Sequence, residues 1–256
     1  MIITVSSVRG SPGVTSWSLL LAAAWPHEYG VDRVVLEADV DGGVLGARYG
    51  FGVDPGVVSL IAALRRTDTR QVDLAEHGRR AGDGVWVVPG PETSEQADRV
   101  WHGSAEAVAE YLVGDHRVWI VDVGRARATS PVEPLLAASA FSLVVTRAGT
   151  EDLVQVPSRV AYLRSQSEVS GVLVVGKTQH SREELAAFVG TRRVWMVASD
   201  EHLPVLAVAA MSGGRARRSM VWRAAIAVAA DIAAKVTERS TWSTEVAADR
   251  VGGGGG

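Results

Sequence analysis

The sequence contains no cysteine among its 256 residues. This absence excludes disulfides, cysteine metal sites and cysteine nucleophiles, and it leaves the redox compartment undecided. The net charge is only −3 and the sequence pI is about 6.1, so no bulk charge recruits nucleic acid or an anionic membrane. We find neither a basic leader nor an uncharged apolar run near the roughly 20 residues of a membrane span. These absences favour a cytoplasmic protein without a transmembrane segment.

Lysine is also scarce, because Lys177 and Lys235 are its two occurrences while arginine is abundant. We attribute this bias to the base composition of a bacterial genome rather than to function.

Short β-branched runs alternate with helical stretches along a chain that is 47% hydrophobic, enough for a large core. Several of the runs are apolar on both faces, as buried parallel strands are. The pattern predicts an α/β fold with a mostly parallel sheet and helices on both faces. We predict one domain over residues 1–238, followed by a flexible polar and glycine-rich tail over residues 239–256.

A glycine-rich turn over residues 9–16 joins the first predicted strand, Ile2–Val8, to a helix-like run, Trp17–Trp25. Backbone N–H groups in such a turn, together with the N-terminus of the next helix, cradle a polyphosphate. The usual phosphate-binding loop also has a lysine directly before its Thr or Ser. Here that position is Val14.

Three segments follow one another as in the MinD/ParA group of P-loop ATPases, which this chain therefore resembles. The three segments are Arg9-Gly10-Ser11-Pro12-Gly13-Val14-Thr15, the run Glu37-Ala38-Asp39-Val40-Asp41-Gly42, and Val118-Trp119-Ile120-Val121-Asp122. The match covers the first half of the chain and past Thr146 rests on the strand–helix pattern. Its phosphate-binding (Walker A) loop, which lacks the lysine at position 14, is similar to that of the TadZ/CpaE branch and of ParA-like proteins from high-GC bacteria. An unrelated α/β fold with a glycine-rich turn is the alternative.

The resemblance implies a site for ATP or ADP with Mg²⁺. Residues Arg9, Gly10, Ser11, Pro12, Gly13, Val14, Thr15 and Ser16 would bind the nucleotide. Thr15 and Asp122 would hold the metal and Asp39 would orient the attacking water, with Glu37 in place of the family's first aspartate. The alternatives are a threonine at a helix N-terminus, a strand-end aspartate and a plain Asp41-Gly42-Gly43 turn.

Arg9 stands where the family has a lysine that reaches across a nucleotide-sandwich dimer to the partner's phosphates. Arginine keeps the charge and offers a bidentate fork, so a catalytic role in trans is one interpretation, and an exposed loop arginine is the other. Val14 removes a charge-assisted contact worth roughly 1.5–3 kcal/mol, and Pro12 removes a backbone donor. We expect ATP hydrolysis to be slow or absent.

The nucleobase side and the basic residues give weaker indications. Where the family has Asn after its sixth strand and Pro-x-Asp after the next one, this chain has Gly176-Lys177 and Ala198-Ser199-Asp200, so adenine specificity does not follow. The densest basic cluster consists of Arg215, Arg217, Arg218 and Arg223. It is either a non-specific DNA-binding patch, as in ParA-type proteins, or a solvated helix entry.

Three functions compete. The favoured one is a homodimeric spatial organiser that acts with a protein partner of a secretion, pilus or partition system and hydrolyses ATP weakly or not at all. The second is an active partitioning ATPase that binds DNA through the Arg215–Arg223 cluster. The third is a small-molecule ligase or kinase similar to dethiobiotin synthetase, against which Val14 counts most.

Overall fold

The structure is a computed structural model that describes residues 1–10, 12–27, 30–66, 71–82, 84–125, 127, 129–167 and 170–252, with side chains up to residue 238. Eight strands form one sheet in the order β3-β4-β2-β5-β1-β6-β7-β8. They are β1 Ile2–Ser7, β2 Arg33–Glu37, β3 Arg79–Gly82, β4 Val85–Val88, β5 Val118–Arg125, β6 Phe141–Arg147, β7 Ser170–Val175 and β8 Val194–Val197. Every pairing is parallel except that of β3 with β4, which is antiparallel. The predicted parallel sheet is confirmed.

Helices cover both faces of this sheet. They are α1 Val14–Ala24, α2 Leu45–Tyr49, α3 Val57–Leu64, α4 Leu74–His77, α5 Ser94–Trp101, α6 Ala105–Gly114, α7 Glu133–Ala137, α8 Thr150–Leu153, α9 Val156–Gln166, α10 Arg182–Val189, α11 Leu203–Met211 and α12 Met220–Gly252. Buried residues of α1, α11 and α12 pack on one face of the sheet, and those of α3, α5, α6, α9 and α10 pack on the other. The two apolar clusters explain why the central strands are hydrophobic on both sides.

The helical pattern of residues 94–113 and that of residues 151–165 each predict one helix, and each stretch is divided in the structure. Residues 94–113 form α5 and α6, because Gly103 has a φ of +72° that a continuing helix does not allow. Residues 151–165 form α8 and α9, and Pro157 stands in the first turn of α9, where a missing N–H costs nothing. The sequence prediction also missed the antiparallel edge strand β3 and the short helix α2.

The predicted domain boundary at residue 238 falls inside α12, which continues to Gly252. Residues 253–256 of the predicted tail lie outside the described residues. The division of the chain at residue 238 stays a prediction. Within the ranges given above, no helix is both long and apolar enough to cross a membrane.

The carboxyl ends of β1, β2 and β5 meet at one edge of the sheet. Glu37 on β2 is paired in register with Asp122 on β5, and β1 lies on the other side of β5. The register of β1 and β5 shifts between Val5 and Ser6, so β5 carries one extra residue there. Ligands of open α/β sheets bind at such strand ends, which is where the glycine-rich turn also lies.

Candidate functional site

The glycine-rich turn leads from β1 directly into α1. Gly10 and Gly13 have φ angles of +66° and +96°, which favour glycine, and Gly13 is the residue that caps α1. No described side chain accepts a hydrogen bond at this cap. The first turn of α1 therefore keeps the N–H groups and the positive end of the helix dipole with which phosphates are bound in other proteins. Ser11, which we predicted to contact the nucleotide, lies outside the described residues.

Two cavities flank the turn. The larger has a volume of about 690 Å³ and the smaller about 250 Å³. The larger is lined by Pro12, Gly13, Ser16, Trp17, Arg48, Arg147, Gly176, Lys177, Asp200 and Leu203, among others. The smaller is lined by Gly10, Gly13, Val14, Thr15, Asp39, Asp41, Arg48, Gly124 and Arg125, among others. The residues predicted at the nucleobase and at the metal thus lie on opposite sides of the turn.

Asp122 is completely buried beneath the smaller cavity. Its Oδ1 atom accepts a hydrogen bond of 3.1 Å from the N–H of Gly124, and the Thr15 hydroxyl lies close enough to the carboxylate to lower its pKa. Its Oδ2 atom has no hydrogen-bond partner among the described residues. Burial above all, and then the nearby Glu37 carboxylate, raises the pKa of Asp122 to about 7. Buried polar atoms normally have a hydrogen-bond partner. An unpartnered carboxylate oxygen next to a threonine hydroxyl is therefore more consistent with a cation site than with a strand end that binds nothing.

Glu37 is a structural anchor. Its carboxylate accepts hydrogen bonds from the N–H groups of Val44 at 2.6 Å, Leu45 at 3.0 Å and Gly90 at 2.9 Å. Burial raises the pKa of Glu37 and these backbone donors lower it. A side chain at Gly43 would overlap the carboxylate. Glu37 therefore holds the start of α2 and the segment after β4 against the sheet, a role that the sequence prediction missed.

Asp39 is half-buried and lines the smaller cavity. Burial raises its pKa, and its carboxylate lies so close to Gly124 that a side chain there would overlap it. The carboxylate also accepts the N–H of Asp41 at 2.9 Å, so the turn that we considered as the alternative is present as well. Asp41 itself is bound by Arg127 at 2.8 Å and lies 3.9 Å from Arg125. Asp39 is thus the acidic group that faces the cavity without a direct ion pair among the described residues.

At the position of the usual lysine, Val14 has no charge and lies at the edge of the smaller cavity. It is 7% exposed and belongs to the apolar cluster that contains Leu203 and Ala207 of α11. The cations at the turn come from other elements. Arg48 of α2 donates to the Ser16 hydroxyl at 3.0 Å, and Arg147 and Lys177 line the larger cavity after β6 and β7.

The sequence matches no protein-family model and no curated protein. Its structure is similar to that of a ParA family ATPase from Chlorobium tepidum, with a TM-score of 0.71 at 14% identity over 89% of this chain and 98% of that one. The septum site-determining protein MinD of Pyrococcus horikoshii, complexed with Mg-ADP, gives a TM-score of 0.70 at 14% identity over 90% and 95% of the two chains. MinD in the MinC:MinD complex of Aquifex aeolicus gives 0.67 at 12% identity over 91% and 95%. The chain has the ParA/MinD fold.

The fold that the resemblance implied is therefore confirmed. Identities of 12–14% show a shared fold and not a shared site. The role of each predicted site residue therefore stays a prediction. In this ParA/MinD fold, the turn, Thr15, Asp39 and Asp122 come together at one sheet edge, as the three strand-end motifs predicted.

Arg9 lies apart from this cluster. Its guanidinium is 3.9 Å from Glu151, its side chain is 53% exposed, and it lines neither cavity. Such a position leaves it outside the site of its own chain, so a role in trans remains the hypothesis for Arg9.

The four arginines of the basic cluster are not equivalent. Arg217 donates to the carbonyl oxygen of Ala210 at 3.1 Å and stacks on Trp222 with 5.2 Å to the ring centroid, so it contributes to packing. Arg215, Arg218 and Arg223 are exposed. DNA binding at this cluster stays a prediction that rests on these three charges.

Proposed function

We propose that the chain is a cytoplasmic nucleotide-binding protein of the ParA/MinD fold that binds ATP or ADP with Mg²⁺ at residues 10–16. In this proposal it acts as a dimeric organiser that positions a secretion, pilus or partition machinery through a protein partner. One observation carries the proposal: Thr15 and the buried Asp122 meet at the end of a glycine turn that has a cavity on each side.

The cavities support a nucleotide. The volume of about 690 Å³ on the larger side lies within the range of small-molecule sites. The turn and the first turn of α1 would bind the phosphates, and the nucleoside would occupy the larger side. The MinD of Pyrococcus horikoshii, which shares this fold, is complexed with Mg-ADP. That complex supports the proposal of the same ligand for this chain.

The donor set supports Mg²⁺. No group of three or more His, Asp or Glu residues in the described ranges is arranged as a metal site. Mg²⁺ in nucleotide sites is usually held by few protein oxygens, with phosphates and water completing its shell. The Thr15 hydroxyl and the unpartnered Oδ2 of Asp122 fit that need. When bound, Mg²⁺ would neutralise charge on the phosphates.

Slow hydrolysis follows from the charge that position 14 lacks. Asp39 lines the smaller cavity, where its carboxylate would accept a hydrogen bond from a water molecule. The buried Val14 gives no positive charge to the phosphates. Electrostatic stabilisation of the transition state is the largest contribution to the catalysis of phosphoryl transfer. The loss of a positive charge therefore lowers the rate of hydrolysis more than the affinity for nucleotide. A partner-dependent switch tolerates this loss, as it needs binding more than turnover. The MinC:MinD cell division protein complex of Aquifex aeolicus contains this fold, and it supports a protein partner here.

Titration calorimetry with ATP and with ADP, with and without Mg²⁺, tests the proposal, with sedimentation velocity reporting the oligomeric state. We expect micromolar binding that requires Mg²⁺ and promotes a dimer. Thr15→Ala should weaken binding at least tenfold, whereas Thr237→Ala on α12, which lines neither cavity, should not. No binding at millimolar nucleotide with an unchanged oligomeric state would overturn the proposal.

A further inference from the structure

The turn has a place for a polyphosphate but no cation of its own at position 14. Val14 is a buried apolar residue, and Arg9 lies outside both cavities. A cradle of backbone N–H groups alone binds a multiply charged anion less tightly than one with a positive side chain beside it. A positive side chain from a second element would therefore strengthen phosphate binding at the turn.

Arg48 is the basic residue closest to that requirement. Its Nη1 atom donates to the hydroxyl of Ser16 at 3.0 Å, one residue beyond Thr15. Among the described residues, Gly13 and Arg48 are the two that line both cavities. The guanidinium therefore lies where the two cavities adjoin, beside the glycine that begins α1.

The backbone around Arg48 holds it in this place. Glu37 fixes the N–H groups of Val44 and Leu45, and the N–H of Arg48 in turn bonds the carbonyl oxygen of Val44 at 2.9 Å. Leu45 is fully buried, and α2 ends at Gly50 with a φ of +65°. The short helix is thus a fixed support and not a loose loop.

Most of the hydrogen-bonding capacity of Arg48 is not used within the chain. Guanidinium carries five N–H donors, and the bond to Ser16 uses one of them. In the described part of the chain Arg48 forms no ion pair within 4.0 Å, and its side chain is half-buried. Arg125 and Arg127, in contrast, are turned towards Asp41. A guanidinium with unused N–H donors beside the glycine turn can bind two phosphate oxygens in a bidentate geometry.

We propose that Arg48 is the phosphate-binding cation of this site, supplied in cis from α2 in place of the positive charge that position 14 lacks. Its ligand is the polyphosphate of a nucleoside di- or triphosphate. The inference rests on the proposed function and makes it more specific. Because α2 follows directly on the segment of Asp39, phosphate binding at Arg48 also ties that segment to the turn.

Calorimetry with three probes tests the inference: ATP, inorganic tripolyphosphate and adenosine. Arg48→Ala should weaken ATP and tripolyphosphate about 10- to 100-fold and leave adenosine within twofold. Arg48→Lys should retain part of the affinity, and Arg48→Ala with Val14→Lys should regain it by restoring the charge at the usual position. Arg99→Ala, an exposed arginine on α5, is the matched control.

The outcomes separate the two proposals. If Arg48→Ala binds ATP and tripolyphosphate within twofold of the unchanged protein, Arg48 is not the cation, while nucleotide binding stands. If tripolyphosphate binds in an Arg48-dependent way and ATP binds no better, the inference stands and the nucleotide proposal fails. If no anion binds at millimolar concentration, both are overturned. A loss of adenosine binding together with a lower Tm in both Arg48 variants would assign Arg48 a structural role and overturn the inference.

Discussion

The two sides of the glycine turn differ in how their charged groups are held. The acidic side is made by residues at strand ends, with Asp122 and Glu37 both at 1% exposure or less and fixed by backbone N–H groups. The basic side is made by Arg48 of α2, Arg147 at the end of β6 and Lys177 after β7, and all three reach solvent. The position of a buried carboxylate is fixed by its strand. A long basic side chain can reach a given point in the site from any of several elements. The acidic groups are therefore fixed by the strands of the sheet, whereas the basic groups come from separate elements near the surface.

The largest expected effect is on the acidic side. Glu37→Ala removes the acceptor for the N–H groups of Val44, Leu45 and Gly90, and leaves those of Leu45 and Gly90 buried without a partner. Each unsatisfied group costs about 1–3 kcal/mol, so we expect a loss of about 3–5 kcal/mol in the free energy of unfolding. Urea denaturation measures it, with Glu151→Ala at an exposed position as the control. A loss below about 1 kcal/mol would mean that Glu37 does not anchor α2.

The second effect has the opposite sign. In the folded protein the pKa of Asp122 is raised from 3.8 to about 7, so the folded state binds this proton more tightly than the unfolded state does. Stability from this group is therefore present below about pH 4 and is lost as the pH rises towards 7. At about 1.4 kcal/mol for each pH unit of the difference, the cost at pH 8 is about 2–4 kcal/mol.

Asp122→Asn should accordingly stabilise the metal-free protein at pH 8 by a similar amount and flatten its stability between about pH 4 and 7. Denaturation in EDTA at several pH values checks this, with Asp98→Asn on the surface as the control. The same substitution should remove the Mg²⁺ dependence of ATP binding. Equal stability of the two proteins at pH 8 would contradict the raised pKa.

Smaller effects are expected on the exposed basic side. Arg147→Ala and Lys177→Ala should each weaken ATP about 3- to 10-fold, since rim charges are screened by solvent and each acts with the others. Raising the salt concentration should reduce the difference from the unchanged protein. Fluorescence or calorimetric titration at two ionic strengths measures both. If either variant lost as much ATP affinity as we expect for Arg48→Ala, the substituted residue and not Arg48 would be the main phosphate-binding cation.

The smallest effect on binding belongs to Arg9. Because it lines neither cavity, Arg9→Ala should change the ATP affinity of the monomer by less than twofold. If Arg9 acts in trans, the same variant should weaken the nucleotide-dependent dimer in sedimentation velocity. A change in monomer affinity with an unchanged dimer would place Arg9 in the site of its own chain.

Sequence reasoning predicted the parts of the site that depend on local pattern. Thr15 and Asp122 were singled out by the resemblance to the MinD/ParA ATPases, and the parallel sheet brings them to one edge. Arg48 carried no signal of its own in the sequence, since it became relevant through Ser16, 32 positions away. Likewise the bond from Gly90 to Glu37 spans 53 positions. The one available hint was the pair of small residues, Gly43 and Gly90, around a long acidic side chain.

The sequence by itself determined the alternation of strands and helices, the glycine turn and the absence of a lysine at position 14. These follow from side-chain periodicity and from glycine's freedom at positive φ, which act over a few residues. Only the tertiary structure decided that Val14 is part of the core, that Glu37 is an anchor and that Arg48 stands between the two cavities. Those results depend on which distant segments pack together, and no local pattern contains that information.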